Sequence, residues 1–246
     1  MWPYPRTLAH RGGGTLAPEN TIAALRCGLA HGYRAVEFDV MLARDGVPVV
    51  VHDVELGRTV AGSGAIPDYT SAQLAAMDAG SWFGAPFAGE GVPAFDAVVA
   101  YCQAHGIWMN IEIKPAPGAE AATGTVVAQR TRQHFADGGL SPLLSSFSID
   151  ALVAARDAAP ELARGWLVEE LPQDWLAQAR QLGVVAIHCD HTPLTRERVA
   201  AIKAEGFGVF CYTVNTVERA SELLGWGVDG FCTDRIDLIA PVPAMA

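Results

Sequence analysis

Residues 35–52 read Ala-Val-Glu-Phe-Asp-Val-Met-Leu-Ala-Arg-Asp-Gly-Val-Pro-Val-Val-Val-His. The runs Ala35–Val40 and Val47–His52 have the composition of strands. Between the first and the second, Ala43-Arg44-Asp45-Gly46 is too short for a parallel crossover, which takes a dozen or more residues, whereas Asp45-Gly46 is a strong hairpin turn. Residues 47–52 are therefore expected to return antiparallel on the extension of the preceding strand, outside the main count. Outward from this hairpin, seven more apolar runs read as strands: Thr7–His10, Trp108–Ile113, Leu143–Phe147, Gly165–Val168, Val185–His188, Gly208–Thr213 and Gly230–Thr233. Helical patterns alternate with them, from Thr21 and at about 95–105, 119–135, 149–158, 173–182, 195–204 and 216–224, with a short last turn at Ile236–Ala240. Gly32, Gly106, Gly138, Gly183, Gly206 and Gly225 stand where helix stops are expected. Eight parallel strands with their helices make a (β/α)8 barrel, an α/β architecture that uses roughly 250 residues, and the chain has 246. The exception is 53–94, rich in Gly and Pro with Tyr69, Trp82, Phe83 and Phe87 scattered through it. It reads as an insertion after the second strand that caps the barrel mouth within a single domain, 1–246, with no second core.

Composition narrows the partners. The formal charge of -10 argues against a nucleic-acid binder, which needs a basic face, but leaves room for a small anionic substrate that senses local charge. Five cysteines, Cys27, Cys102, Cys189, Cys211 and Cys232, show no C-x-x-C spacing, so reduced, mostly buried thiols are expected. Residues 1–6 lack the apolar stretch of a secretory signal, and no apolar run approaches the ~20 residues of a membrane span. A cytoplasmic protein without stable membrane association is the expectation.

In such barrels chemistry sits at the C-terminal ends of the strands, and polar residues collect there. His10 and Arg11 end the first strand, Glu37 and Asp39 the second, Glu112 and Lys114 the next. Residues two apart share a strand face, so Glu37, Asp39, Glu112 and Lys114 point inward together if one of each pair does. Three converging carboxylates call for a hard divalent cation, Mg2+ or Ca2+, or for a buried ion-pair network with Arg11 and Lys114. Counting back from a two-residue turn sets Arg44 against Val47 and His52 against Asp39, which brings a second histidine to the site. Two histidines, a cation, Arg and Lys suit phosphoryl transfer; the other reading of His52 is a strand-end histidine bonded to a carboxylate.

The segments Ala9-His10-Arg11-Gly12-Gly13-Gly14, Pro18-Glu19-Asn20-Thr21, Val36-Glu37-Phe38-Asp39-Val40, Asp45-Gly46-Val47-Pro48-Val49-Val50-Val51-His52-Asp53 and Asn110-Ile111-Glu112-Ile113-Lys114-Pro115, in this order and spacing, resemble the glycerophosphodiester phosphodiesterase family. So do Ser145-Ser146-Phe147, Tyr212-Thr213-Val214-Asn215 and Gly227-Val228-Asp229-Gly230-Phe231-Cys232-Thr233-Asp234, which extends the likeness over essentially the whole chain. The start Trp2-Pro3-Tyr4-Pro5-Arg6 and the block Asp78-Ala79-Gly80-Ser81-Trp82 are most similar to its compact cytosolic bacterial (UgpQ-type) branch. The resemblance implies a TIM barrel, a divalent cation on Glu37, Asp39 and Glu112, His10 and His52 as the acid/base pair, and Arg11 and Lys114 on the phosphate. It also implies hydrolysis of a glycerophosphodiester to glycerol 3-phosphate and an alcohol. Tyr212 stands where the family often has Trp, and still supplies an aromatic wall.

Further residues carry smaller expectations. Glu19 and Asn20 precede the first helix and read mainly as its caps, with a direct role in the site as the alternative. Trp82 and Phe83 wall the glycerol side of the substrate or pack the insertion. His188, Asp190 and His191 have metal-binding composition without a matching spacing. Asn215 and Asp234 lie at strand ends beside the site, and His31, His105 and His134 near helix ends are read as solvated. Competing functions are a phosphodiesterase acting on lysophospholipid or phosphoinositide, which would show an apolar or basic rim, and a non-catalytic phosphodiester-binding barrel.

Overall fold

The computed structural model describes residues 2–136, 138 and 140–242. The chain runs β1 (Thr7–Ala9), α1 (Ile22–Ala30), β2 (Ala35–Leu42), β3 (Pro48–Val50), α2 (Ser71–Ala75), α3 (Phe95–Ala104), β4 (Trp108–Ile113), α4 (Glu120–His134) and β5 (Leu143–Ser146). It continues α5 (Ile149–Ala158), β6 (Arg164–Val168), α6 (Trp175–Leu182), β7 (Ala186–Asp190), α7 (Arg196–Ala204), β8 (Gly208–Tyr212), α8 (Val217–Trp226) and β9 (Gly230–Thr233). Eight of the strands pair in parallel in the order β1-β9-β8-β7-β6-β5-β4-β2, and β1 pairs β2 to close the (β/α)8 ring. Several helices start where a hydroxyl precedes an apolar-periodic run, whereas α3 and α4 follow Ala94 and Ala119 without a side-chain cap. Thr21, Ser148, Thr195 and Thr216 accept the backbone N–H three residues on at the starts of α1, α5, α7 and α8. The stop of α8 is Gly227 rather than the expected Gly225, which lies inside its last turn.

Strand alternation sorts the side chains into two cores. Phe38, Ile111 and Ile113 face outward, packed with Phe95, Val98, Val99 and Cys102 of α3 and Val127 of α4. Around the other half of the ring, Ile187, Val209 and Phe231 pack with Val199, Ile202 and Leu223. Inside, the N-terminal end of the barrel is plugged by Trp2 and Tyr4 with Leu8, Ala35, Trp108, Leu143 and Phe210. Tyr4 stacks on Trp108 at 4.7 Å and meets Trp2 edge-on at 5.0 Å. The polar cavity lies at the opposite end, toward the strand C-termini. All five cysteines are free, and four of them are buried. No helix among the described residues is long and apolar enough to cross a membrane.

β3 is the antiparallel return, but its register is one residue off the expected one. Val40 pairs Val50 and Leu42 pairs Pro48, and Ala43 N–H donates to Val47 O at 3.0 Å. The loop therefore has three residues, 44–46, closed by Gly46 at φ +74°, a common three-residue hairpin geometry with a left-handed last position. Val51, not His52, lies opposite Asp39, to whose carbonyl it donates at 3.0 Å. Such a shift would turn His52 away from the interior if the strand continued, but β3 ends at Val50 and the chain swings His52 back into the mouth. The segment 53–94 also departs from expectation, for it does have an apolar nucleus. Val60, Ile66, Leu74, Ala79 and Val92 pack on Met41, Val49 and Val51 of the hairpin.

Candidate active site

Glu37 and Asp39 project from one face of β2, and Asp39 stands beside Glu112 in the β2–β4 ladder. One oxygen of each of the three carboxylates lies within 4.8 Å of the others, and all three residues are buried. Burial, then the neighbouring charge of Asp39, raises the pKa of both Glu37 and Glu112. Burial works against Asp39 too, but Arg11, Lys114, His52 and a hydrogen bond from Asn20 outweigh it and hold its pKa down. Glu37 Oε1 is buried without any hydrogen-bond partner. An all-oxygen donor set with one carboxylate oxygen to spare fits a hard divalent cation.

His10 and Arg11 sit in a one-turn 3-10 segment at the exit of β1. Arg11 adopts φ +49°, and its N–H donates to Glu37 Oε2 at 3.1 Å. Its guanidinium bonds Glu19 at 2.6 Å and approaches Asp39 at 3.6 Å. Gly14 lets this turn lie against β9: at φ +54°, a Cβ there would fall 2.1 Å from Asp234 O. His10 Nδ1 is 2.6 Å from Asp234 Oδ1, and its Nε2 is 3.7 Å from Glu37 Oε2. Asn215 completes the support, donating to Asp234 Oδ2 at 3.0 Å and accepting its N–H at 2.8 Å. Burial alone would depress the His10 pKa, but the hydrogen bond to Asp234 and the charges of Glu37 and Asp234 prevail and raise it.

His52 has the parallel arrangement, with Nδ1 2.7 Å from Asp53 Oδ1. There burial wins over the pull of Asp39, and the pKa is lowered. Lys114 Nζ donates to Glu112 at 3.2 Å and lies 3.5 Å from Asp39. His10, Arg11, Glu37, Asp39, His52, Glu112, Lys114 and Tyr212 all line one cavity of about 300 Å³. Tyr212 is fixed by its hydroxyl, which donates to Val168 O at 2.9 Å, and meets Phe147 edge-on at 5.6 Å. Trp82 and Phe83 are not in this cavity; they line an adjoining one that shares His10 and Arg11 with it.

Several expectations need correction. Neither Glu19 nor Asn20 caps α1, whose cap is Thr21. Asn20 instead donates to Asp39 Oδ2 at 2.8 Å and accepts the Asp39 N–H at 3.3 Å, while Glu19 holds Arg11. Two cap-type residues in succession, Asn20 and Thr21, were the signal, since a helix start uses only one. His188, Asp190 and His191 form no common site: His188 is buried inside the barrel, its pKa pushed down to about 3, while Asp190 caps Thr192 and His191 accepts from Arg219. His134 is half-buried and bonded to Asp96 at 2.8 Å rather than solvated.

Residues 10–238 match the model of the glycerophosphoryl diester phosphodiesterase family. A glycerophosphodiester phosphodiesterase of Caldanaerobacter subterraneus subsp. tengcongensis is 32% identical over 232 residues, which cover 92% of this chain and 93% of the relative. Among solved structures, an Oleispira antarctica phosphodiesterase in complex with the product sn-glycerol-3-phosphate superposes with a TM-score of 0.88 at 35% identity, covering 94% and 93% of the two chains. A glycerophosphodiester phosphodiesterase from Agrobacterium tumefaciens follows at TM-score 0.78 and 25% identity, over 94% and 97%. Such likeness, running nearly the full length of each chain and over a barrel with this mouth, places the chain in the glycerophosphoryl diester phosphodiesterase family and makes it an enzyme of phosphodiester hydrolysis.

Proposed function

We propose that the chain hydrolyses glycerophosphodiesters to glycerol 3-phosphate and an alcohol, using one divalent cation, Mg2+ or Ca2+, on Glu37, Asp39 and Glu112. The observation that carries this is the convergence of that carboxylate triad with two carboxylate-backed histidines, Arg11 and Lys114 on one cavity. The product held by the Oleispira neighbour supports the substrate class. The cation, when bound, neutralises the carboxylates and draws negative charge from the phosphate. Arg11 and Lys114 bind the non-bridging oxygens, whose charge grows in the transition state. Asp234 and Asp53 each accept the Nδ1 proton of their histidine, which leaves both Nε2 atoms for the substrate. The two pKa values are pushed apart, His10 upward and His52 downward. Paired groups driven in opposite directions take opposite proton roles, so His10 is the acid toward the leaving alcohol and His52 the base toward the attacking hydroxyl. That hydroxyl is water or the substrate's own glycerol 2-hydroxyl; the second route gains from proximity and leaves a cyclic phosphate among early products. Tyr212 walls the cavity, and Trp82 and Phe83 wall the glycerol side from the adjoining one. A cytoplasmic setting is supported by the five free cysteines.

The test is release of glycerol 3-phosphate from glycerophosphocholine, with and without chelator. Turnover that stops with chelator and returns with Mg2+ or Ca2+ supports the reading. Turnover that survives thorough cation removal overturns the role of the triad, and no turnover overturns the substrate. Sedimentation with liposomes separates the lipid-acting alternative, for which strong binding is the signature.

A further inference from the structure

We propose that Arg58, in the insertion, is a positioning residue that sets the base His52 and the phosphate ligand Arg11 relative to each other, through one carboxylate each. The inference rests on the reading above only in taking those two residues as working groups. Arg58 Nε donates to Asp53 Oδ2, and the other oxygen of the same carboxylate holds His52 Nδ1 at 2.7 Å. The two terminal nitrogens of Arg58 grip Glu19 as a fork, Nη1 to Oε2 at 2.9 Å and Nη2 to Oε1 at 2.7 Å. Glu19 Oε1 in turn accepts from Arg11 Nη1 at 2.6 Å. The order His52–Asp53–Arg58–Glu19–Arg11 is thus an unbroken chain of five side chains from one working group to the other.

The loop that presents Arg58 is itself held. Glu55 bridges Ala65, Leu56 N–H donates to Gly64 O at 2.8 Å, and Gly57 N–H donates to Val60 O at 2.9 Å. Val60, two residues on, is buried in the apolar nucleus of the insertion. The guanidinium is half-exposed, so its ion pairs contribute little to global stability. Their geometric content is large, because a planar fork bonds two carboxylates in fixed directions and a lysine ammonium cannot. Without Arg58, Asp53 loses its second bond and His52 can swing with it, while Glu19 is free to draw Arg11 away from the cavity.

The test uses the cation-loaded full chain and the variants Arg58→Ala, Arg58→Lys, Asp53→Asn and Glu19→Gln, with the double variants Arg58→Ala/Asp53→Asn and Arg58→Ala/Glu19→Gln. Outer residues that orient working groups typically matter by 10–100-fold. Arg58→Ala is expected to lower kcat/KM on glycerophosphocholine by roughly this factor, with both kcat and KM changed. Arg58→Lys should remain impaired, and added guanidinium should restore part of the Arg58→Ala loss. Each double variant should lose less than the product of its single losses, because both changes cut the same chain. Binding of inorganic phosphate, read by calorimetry, should weaken in Arg58→Ala, and this arm stands even if glycerophosphocholine is not turned over. Unchanged phosphate affinity, strictly multiplicative losses, or full recovery in Arg58→Lys would each overturn the proposal.

Discussion

Replacing Asp234 by Asn tests the proton assignment where the structure is most explicit. The Asp234 carboxylate accepts twice, from His10 Nδ1 at 2.6 Å and from Asn215 Nδ2 at 3.0 Å. An amide has only one accepting end. If its oxygen faces His10, its NH2 meets the Asn215 NH2. If its NH2 faces His10, Nδ1 must become an acceptor, and the neutral ring carries its proton on Nε2. A hydrogen bond to a charged group is worth about 1.5–3 kcal/mol, and at 1.36 kcal/mol per decade its loss alone predicts roughly a 10- to 150-fold fall in kcat. The pH profile adds a sign. His10 must be protonated to act as acid, and its pKa is raised above the ordinary 6.5, so in the unaltered protein activity persists above that value before the alkaline limb. Asn removes a hydrogen bond and a charge that both raise the pKa, so the alkaline limb moves to lower pH; it does not vanish, because Glu37 remains. The assay is steady-state hydrolysis of glycerophosphocholine from pH 5 to 9, with cation affinity measured in parallel. A loss below threefold, or an alkaline limb that stays in place, would refute the assignment of His10 as acid.

Other expectations follow from the same geometry. His52→Ala should reduce kcat by about 10²–10⁴-fold and abolish the acidic limb, which in the unaltered protein lies below 6.5 because the pKa of His52 is lowered; kcat at each pH reads both. Asn20→Ala removes the two bonds that aim Asp39 and should weaken cation binding by roughly 10- to 100-fold in calorimetry, with the melting temperature nearly unchanged in saturating cation. Melting with and without cation should also depend on pH. Glu37 and Glu112 have folded pKa values raised above 4.5, so the native state binds more protons than the unfolded one above that pH, and cation-free stability falls as pH rises. The stabilisation gained by adding cation should therefore grow between pH 5 and 8, and a gain independent of pH contradicts the triad as the binding site.

The barrel was legible because each strand announces itself as a short apolar run between helix signals, and the three carboxylates because i, i+2 spacing puts them on one face wherever the strand lies. Register was less accessible. Asp45-Gly46 serves a two-residue and a three-residue turn equally well, and only the Ala43–Val47 bond distinguishes them. The nucleus of the insertion was less legible because only Leu74 stands on an α-helix, the five-residue α2, while Val60, Ile66 and Val92 lie outside the α-helices and strands and show no period. Glu19 and Asn20 were misread because capping and site support call for the same chemistry, a short polar side chain near a helix start. The partners that separate the two roles, Arg58 and Asp39, are remote in sequence. Asp234 stood out only as a strand-end acid, since its bond to His10 spans 224 positions.

That long-range bond has a consequence for the protein during its synthesis. Glu37, Asp39, His52, Glu112 and Lys114 have all been synthesised by residue 114, whereas Asp234 follows 120 residues later. At roughly 5–20 residues per second, an emerging chain carries its charged groups for about 6–24 s before the last strand can seat His10. A product truncated before Gly230 lacks β9, leaves the ring open, and has no Asp234 for His10 Nδ1. Hydrolysis is expected to be lost from any copy that stops short of Asp234, because His10 then lacks the carboxylate that orients it.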